Sequence, residues 1–135
     1  MEKIQLWKDK ETRKIDPGLF SEQAEKLAKL LADDCEKSRN KKFNKRTQIR
    51  KFYDEVARLN LETKNRVVDW DNILPLVNML TAKAAYAKGR ELVSDNFLDF
   101  IRDSVKQVDQ PEDLAVFANL FEAFYGFYKL YCPVN

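Results

Sequence analysis

The chain is predicted to be all-α: a compact bundle of about five helices that ends in a strongly apolar C-terminal helix. Three observations carry this. The 135 residues include only three glycines and four prolines, too few to punctuate a many-stranded sheet. Apolar side chains recur three and four apart in five separate stretches, the period of a helix with one buried face. Composition is 44% hydrophobic and 34% charged, which supplies both a core and a solvated surface. The length argues for one domain. Residues 21–135 are read as that domain, and residues 1–20 as an N-terminal tail and turn.

In the tail, Ile4, Leu6 and Trp7 are candidates for docking on the body, and Asp16-Pro17-Gly18 reads as a turn. The first helix is expected from Ser21, a good N-cap, to Asp34, with Ala24, Leu27, Ala28 and Leu31 on one face. Residues 36–44 have no apolar period and read as a basic loop. The second helix is expected over 45–59, with Ile49, Phe52, Tyr53, Val56 and Asn60 along its stripe. The third is expected over 71–88, with Asp71 as cap, Pro75 in the first turn and Gly89 as a left-handed terminator. Its stripe is Ile73, Leu76, Val77, Leu80, Ala84 and Ala87. Ser94 should cap a fourth helix over 95–108, built on Phe97, Leu98, Ile101, Val105 and Val108. Asp109 should cap the fifth, with Pro111 in its first turn, Tyr131 near its end and Pro133 as the stop.

The fifth helix is apolar well past half its circumference. Leu114, Phe117, Ala118, Phe121, Tyr125 and Tyr128 form one face, and Val116, Leu120, Phe124, Phe127 and Tyr131 widen it. Covering so wide a face from within a small bundle looks difficult, so a second chain is expected against Phe117, Leu120, Phe124, Phe127 and Tyr131, as a homodimer when isolated.

The inventory for chemistry is thin. There is no histidine, which excludes Ser-His and Cys-His machinery. Gly18, Gly89 and Gly126 are far apart and make no phosphate loop. Cys35 and Cys132 stand alone and read as idle thiols, not as a zinc site. The carboxylate pairs Asp33/Asp34, Asp54/Glu55 and Asp99/Asp103 read as solvated faces. No catalytic residue, metal or cofactor is expected, and the chain is not expected to be an enzyme. The charged N-terminus resembles no signal peptide. Asn119, Glu122 and Lys129 make the stretch 114–131 too polar to span a bilayer, so a cytoplasmic location is expected.

Charge is the strongest signal. Residues 37–51 carry eight basic and no acidic side chains, whereas residues 91–135 carry three basic and eight acidic. A concentration of like charge favours an anionic partner, most commonly a phosphate backbone. Lys41, Lys42, Lys45, Arg46, Arg50 and Lys51 are the candidates in this run. Arg46 and Arg50 stack at i and i+4, while Lys51 points nearly opposite to Arg50. Lys83 and Arg90, seven apart with Met79 and Tyr86 beside them, would form a second ridge if helices two and three pack side by side. Phe43 and Tyr86 are candidates for base stacking, with packing as the alternative. The acidic C-terminal third is expected to face away from nucleic acid.

Three segments occur in a telling order. They are Thr47-Gln48-Ile49-Arg50-Lys51-Phe52-Tyr53, then Ala84-Ala85-Tyr86-Ala87-Lys88-Gly89-Arg90, then Phe117-Ala118-Asn119-Leu120-Phe121-Glu122-Ala123-Phe124 with Tyr128-Lys129. The set resembles the small subunit of type III-A CRISPR effector (Csm) complexes, over roughly residues 16–131. That resemblance implies a small helical bundle, several copies of which stack beside the backbone subunits holding CRISPR RNA. It implies contact with the backbones of guide and target RNA, with cleavage left to the backbone subunit. The implied partners are CRISPR RNA, target RNA, the backbone subunit and the large signature subunit. By motif, Arg50, Lys51, Lys88 and Arg90 are the implied RNA contacts, and the Phe-Glu-Ala segment of the last helix is structural. The loop before residue 47 matches no family motif and rests on charge alone. A scaffold whose basic loop docks an acidic protein, and a duplex-DNA regulator with Gln48 as its one neutral base reader in helix two, stand as rival readings.

Overall fold

A computed structural model describes residues 2–135, in which five α-helices follow a single π turn. The turn, Leu19–Gln23, runs directly into α1, Ala24–Lys37. A short 3-10 turn, Arg39–Lys41, leads to α2, Arg46–Lys64. Then come α3, Trp70–Gly89, α4, Asp95–Lys106, and α5, Pro111–Tyr131. No β-strand occurs among the described residues; Asp9 and Lys14 make one isolated bridge. The all-α expectation is met.

The bundle is organised around α5, which packs on α1 and α2, while α3 packs on α4 and α2. Aromatic side chains interlock α4 with α5: Phe100 lies 5.5 Å from Phe121, 5.6 Å from Phe124 and 6.0 Å from Phe117, ring centre to ring centre. Phe97 bridges Phe52 of α2 and Phe121. Such tilted and edge-on pairs each add about 0.5–1.5 kcal/mol beyond their area burial. Tyr53 of α2 stacks on Tyr125. Phe117, Leu120, Phe121, Phe124 and Tyr128 are fully buried within this one chain. The expectation that α5 needs a second chain to cover it is therefore corrected for Phe117, Leu120 and Phe124. The chain's own α1, α2 and α4 enclose more of α5 than a flat count of apolar positions suggests.

Several helix ends differ from expectation, for identifiable reasons. The first helix starts at Leu19, because Leu19 is fully buried and must enter the core. Ser21 is exposed within that turn and caps nothing. Asp16 does the anchoring, accepting from the Gly18 amide at 2.8 Å and from Gln23 Nε2 at 3.1 Å. The helix continues to Lys37, past Asp34, and Ser38 Oγ donates to the Cys35 carbonyl. Helix α2 continues past Leu59 to Lys64. Asp69, not Asp71, precedes α3, so Pro75 falls in the second turn, on an exposed face. Leu76 is also exposed, outside the buried stripe. Gln110, not Asp109, precedes α5, and Pro111 opens it as expected. Ser94 caps α4 by accepting from the Phe97 amide, also as expected.

Gly89 is not the left-handed terminator of α3. That conformation falls on Glu91, at φ 60°. The Glu91 amide donates to the Lys88 carbonyl and the Leu92 amide to the Ala87 carbonyl, the hydrogen-bond pair of a Schellman end. Arg66, at φ 53°, ends α2 with the same pair, to Thr63 and Glu62. Burial of Ala87 and Val93 decides where α3 must stop, and the chain accepts a left-handed glutamate to do it.

The N-terminal residues are tied to the far end of the bundle. Leu6 is fully buried, its amide donates to Gln107 Oε1, and Gln107 Nε2 donates to the Ile4 carbonyl. Trp7 Nε1 donates to Asp113, which also receives the Asp109 and Gln110 amides and lies 3.4 Å from Arg13.

Candidate nucleic-acid interface

The basic run is placed by one buried side chain that its charge pattern conceals. Asn44 is fully buried with a left-handed backbone, φ 59°. Its Nδ2 donates to the Leu31 carbonyl and to Ser94 Oγ, and its Oδ1 accepts from the Ser94 amide at 2.9 Å. Its own amide donates to the Leu92 carbonyl, and its carbonyl accepts from the Tyr128 hydroxyl. Ser94 Oγ in turn donates to Asp34. Asn44 thus pins the segment between α1 and α2 to α1, α4 and α5. Asparagine tolerates the left-handed region better than most residues, which suits it to this corner.

From that anchor α2 runs beside α3, and a groove of about 310 Å³ opens between them. Helical spacing builds its walls. Gln48, Lys51 and Glu55 sit three and four apart on α2, and Lys83 and Tyr86 of α3, with Arg90 just past its end, keep the same spacing, so each trio lines one wall. Phe52, Leu80 and Ala87 make a floor that is already buried. Lys51 and Arg90 pair with no carboxylate among the described residues, and Lys83 lies 3.8 Å from Glu55. Arg58, bound to Glu55 at 2.6 Å, holds the Glu55 carboxyl below its ordinary range, with Lys83 assisting, against partial burial. Three cations and one carboxylate leave the groove basic. Tyr86 is 68% exposed, with the Arg90 guanidinium 5.7 Å from its ring centre.

The other candidate cations lie elsewhere. Lys41 pairs with Glu36, Lys42 with Glu91 at 2.8 Å, Arg50 with Asp54 and Lys88 with Asp95. Lys42 holds the Glu91 carboxyl below its ordinary range. Arg46 is drawn into the C-terminus: its amide donates to the Val134 carbonyl, its guanidinium to Asn135, and its Nε is buried without a partner. Lys45 is exposed. Phe43 is half-buried, with Lys42 Nζ over its ring. The Lys42–Glu91 and Lys88–Asp95 pairs show the acidic third reaching the basic face at two points. Surface pairs of this kind contribute about 0–1 kcal/mol, so a phosphate can displace a carboxylate from them. Glu55 and Asn44 are the residues that sequence reasoning missed. An acid three residues from Arg58 signals an ion pair, but nothing in the linear order marks Asn44 as buried.

Of the residues expected at an oligomer interface, Phe117, Leu120 and Phe124 face the interior; Phe127 and Tyr131 are half-buried. Tyr131 donates its hydroxyl to Glu25 and carries Lys29 over its ring. Cys35 and Cys132 are both buried, and burial beside Cys132 pushes the Cys35 thiol up to about 11. Among the described residues no group of three or more side chains is arranged to hold a metal ion, and no helix is long and apolar enough to cross a membrane.

A five-helix bundle with an open basic groove defines a small all-helical protein with a charged channel. The family model described as Csm2 Type III-A matches residues 16–133, and the chain belongs to that family. It is thus a small subunit of the type III-A CRISPR Csm complex, with the other Csm subunits as partners, in a family of structural, generally non-catalytic members. The resemblance carried by the three ordered segments is met over nearly the same span. No curated protein and no solved structure matches the chain.

Proposed function

We propose that this subunit grips the sugar–phosphate backbone of CRISPR RNA, target RNA or both in the α2–α3 groove, without reading sequence, and so supports assembly of the Csm complex in antiviral defence. The observation that carries this reading is the convergence of Lys51, Lys83 and Arg90, residues distant in sequence, on one groove. Lysine and arginine along a channel bind phosphate regardless of base, and in RNA-guided systems base pairing supplies the specificity. Lys41, Lys42, Lys45, Arg46, Arg50 and Lys88 extend the basic surface, and those that are paired would exchange a carboxylate for a phosphate. The subunit has no part in cleavage. A copy-to-copy contact through α5 would use Phe127 and Tyr131 with Leu130, which is 73% exposed.

The test is binding of the full chain to single-stranded RNAs of unrelated sequence as salt is raised. Three phosphates in the groove give a log–log slope of about −2, and about five over the wider surface give about −3.5. The variant Lys51→Glu, Lys83→Glu, Arg90→Glu should lose binding at every salt concentration. Undiminished binding by that variant, or a curve indifferent to salt, would sink the reading.

A further inference from the structure

We infer that the α2–α3 groove takes unpaired RNA nucleotides in preference to paired ones, because Tyr86 offers a stacking surface that only an unpaired base can reach. This rests on the backbone-gripping reading above and adds a selectivity that charge alone does not supply.

Tyr86 has no packing task. Phe97, Phe100, Phe117, Phe121, Phe124 and Tyr128 are buried almost completely, whereas Tyr86 stands 68% exposed on the groove wall. Its one charged neighbour on the ring face is Arg90. Met79, two turns earlier on the same face, is 53% exposed and continues the apolar strip. An exposed ring flanked by lysine and arginine is the pairing used for single strands: cations take the phosphates and the ring takes a base face, whatever the base.

A protein occupant fits less well. The floor residues Phe52 and Leu80 are already 6% and 0% exposed, so a partner would gain little apolar burial while desolvating three cations. Glu55 lies 3.8 Å from Lys83, so Lys51 and Arg90, which have no carboxylate partner among the described residues, are the freer places for phosphate. A duplex presents phosphates to those two cations but keeps its bases stacked on one another. Lys51, Lys83 and Arg90 serve both forms of RNA, and Tyr86 serves only the single strand.

The experiment measures fluorescence anisotropy of the full chain at low salt with one labelled RNA strand, free and annealed to its complement. A second strand carrying an aminopurine base reports stacking by quenching. The wild-type chain should bind the single strand more tightly than the duplex and quench the aminopurine. Tyr86→Leu should weaken single-strand binding about tenfold, abolish the quench, and leave duplex binding and the salt slope unchanged. Tyr86→Trp should restore both signals. Because Tyr86 is exposed, these variants should fold as the parent does. Undiminished single-strand binding and quenching by Tyr86→Leu overturns the inference while leaving the backbone reading standing, provided that reversal of Lys51, Lys83 and Arg90 still abolishes binding. Failure of the wild-type chain to bind either form overturns both.

Discussion

The aromatic side chains of α5 and the tyrosine of α3 have opposite fates on the same scaffold. On α5, Phe117, Phe121, Phe124 and Tyr128 are sealed by α1, α2 and α4 and make the bundle stable. On α3, Tyr86 is left in solvent beside Lys83 and Arg90. The same residue class becomes core or exposed surface according to whether a neighbouring helix covers it. Only α5 is surrounded; α3 lies at the edge, packed on α4 and α2 and open elsewhere. Stability and RNA binding should therefore be separable by mutation.

The sharpest test of that separation is Phe100→Ala. Its ring meets three others on α5, so the variant should lose about 3–5 kcal/mol, read as a lower urea midpoint. Per-molecule RNA affinity of the fraction still folded should stay unchanged. A loss below about 1 kcal/mol would show that the α4–α5 lock is not the stabilising core.

Asn44→Ala comes next, because it touches both regions. It strands the buried Ser94 amide, removes a second donor from the Leu31 carbonyl and keeps a strained left-handed backbone, for a cost of about 1–3 kcal/mol. It should also loosen the start of α2, seen as faster amide exchange at Arg46 through Ile49. Unchanged exchange there would mean that the loop is held by something else.

A smaller effect separates the N-terminal segment from both. Burial pushes the Asp113 carboxyl up, but the Asp109 and Gln110 amides, the Trp7 indole and Lys10 outweigh it and hold it below the ordinary value of 3.8. Its contribution to stability is therefore present above that value and lost as pH falls through the lower, folded-state one. Acid titration should release Trp7, with a fluorescence change that Asp113→Asn abolishes. Persistence of the change in that variant would assign it to other carboxylates.

The smallest effect belongs to Glu55→Gln. Removing the groove's carboxylate should tighten RNA binding a few-fold, about 0.5–1 kcal/mol, by freeing Lys83. Stability should drop slightly through loss of the Arg58 pair. Weaker RNA binding would show that Glu55 helps the groove.

Much of this was legible in the residues. The five helical stripes, the Ser94 cap and the Pro111 start all follow from local chemistry. The Gln-Ile-Arg-Lys and Tyr-Ala-Lys-Gly-Arg segments carried the family. The helix ends at Arg66 and Glu91 were illegible, because no glycine marks the left-handed position at either. The groove was only partly legible. Lys51, Lys83 and Arg90 were named, but so were six cations that the fold leaves outside the groove.

Local order determined the helices, because three- and four-residue spacing is written directly into the chain. It determined the concentration of charge at residues 37–51 as well. Tertiary structure decided which of those charges meet. Turning by about 100° per residue, α2 sends Arg50 toward Asp54 and Lys51 toward α3. Across the groove, packing against α2 brings Lys83 and Arg90 opposite Lys51. Proximity in the chain sets charge density, but a helix disperses neighbours around its axis, and only packing against another helix gathers them again.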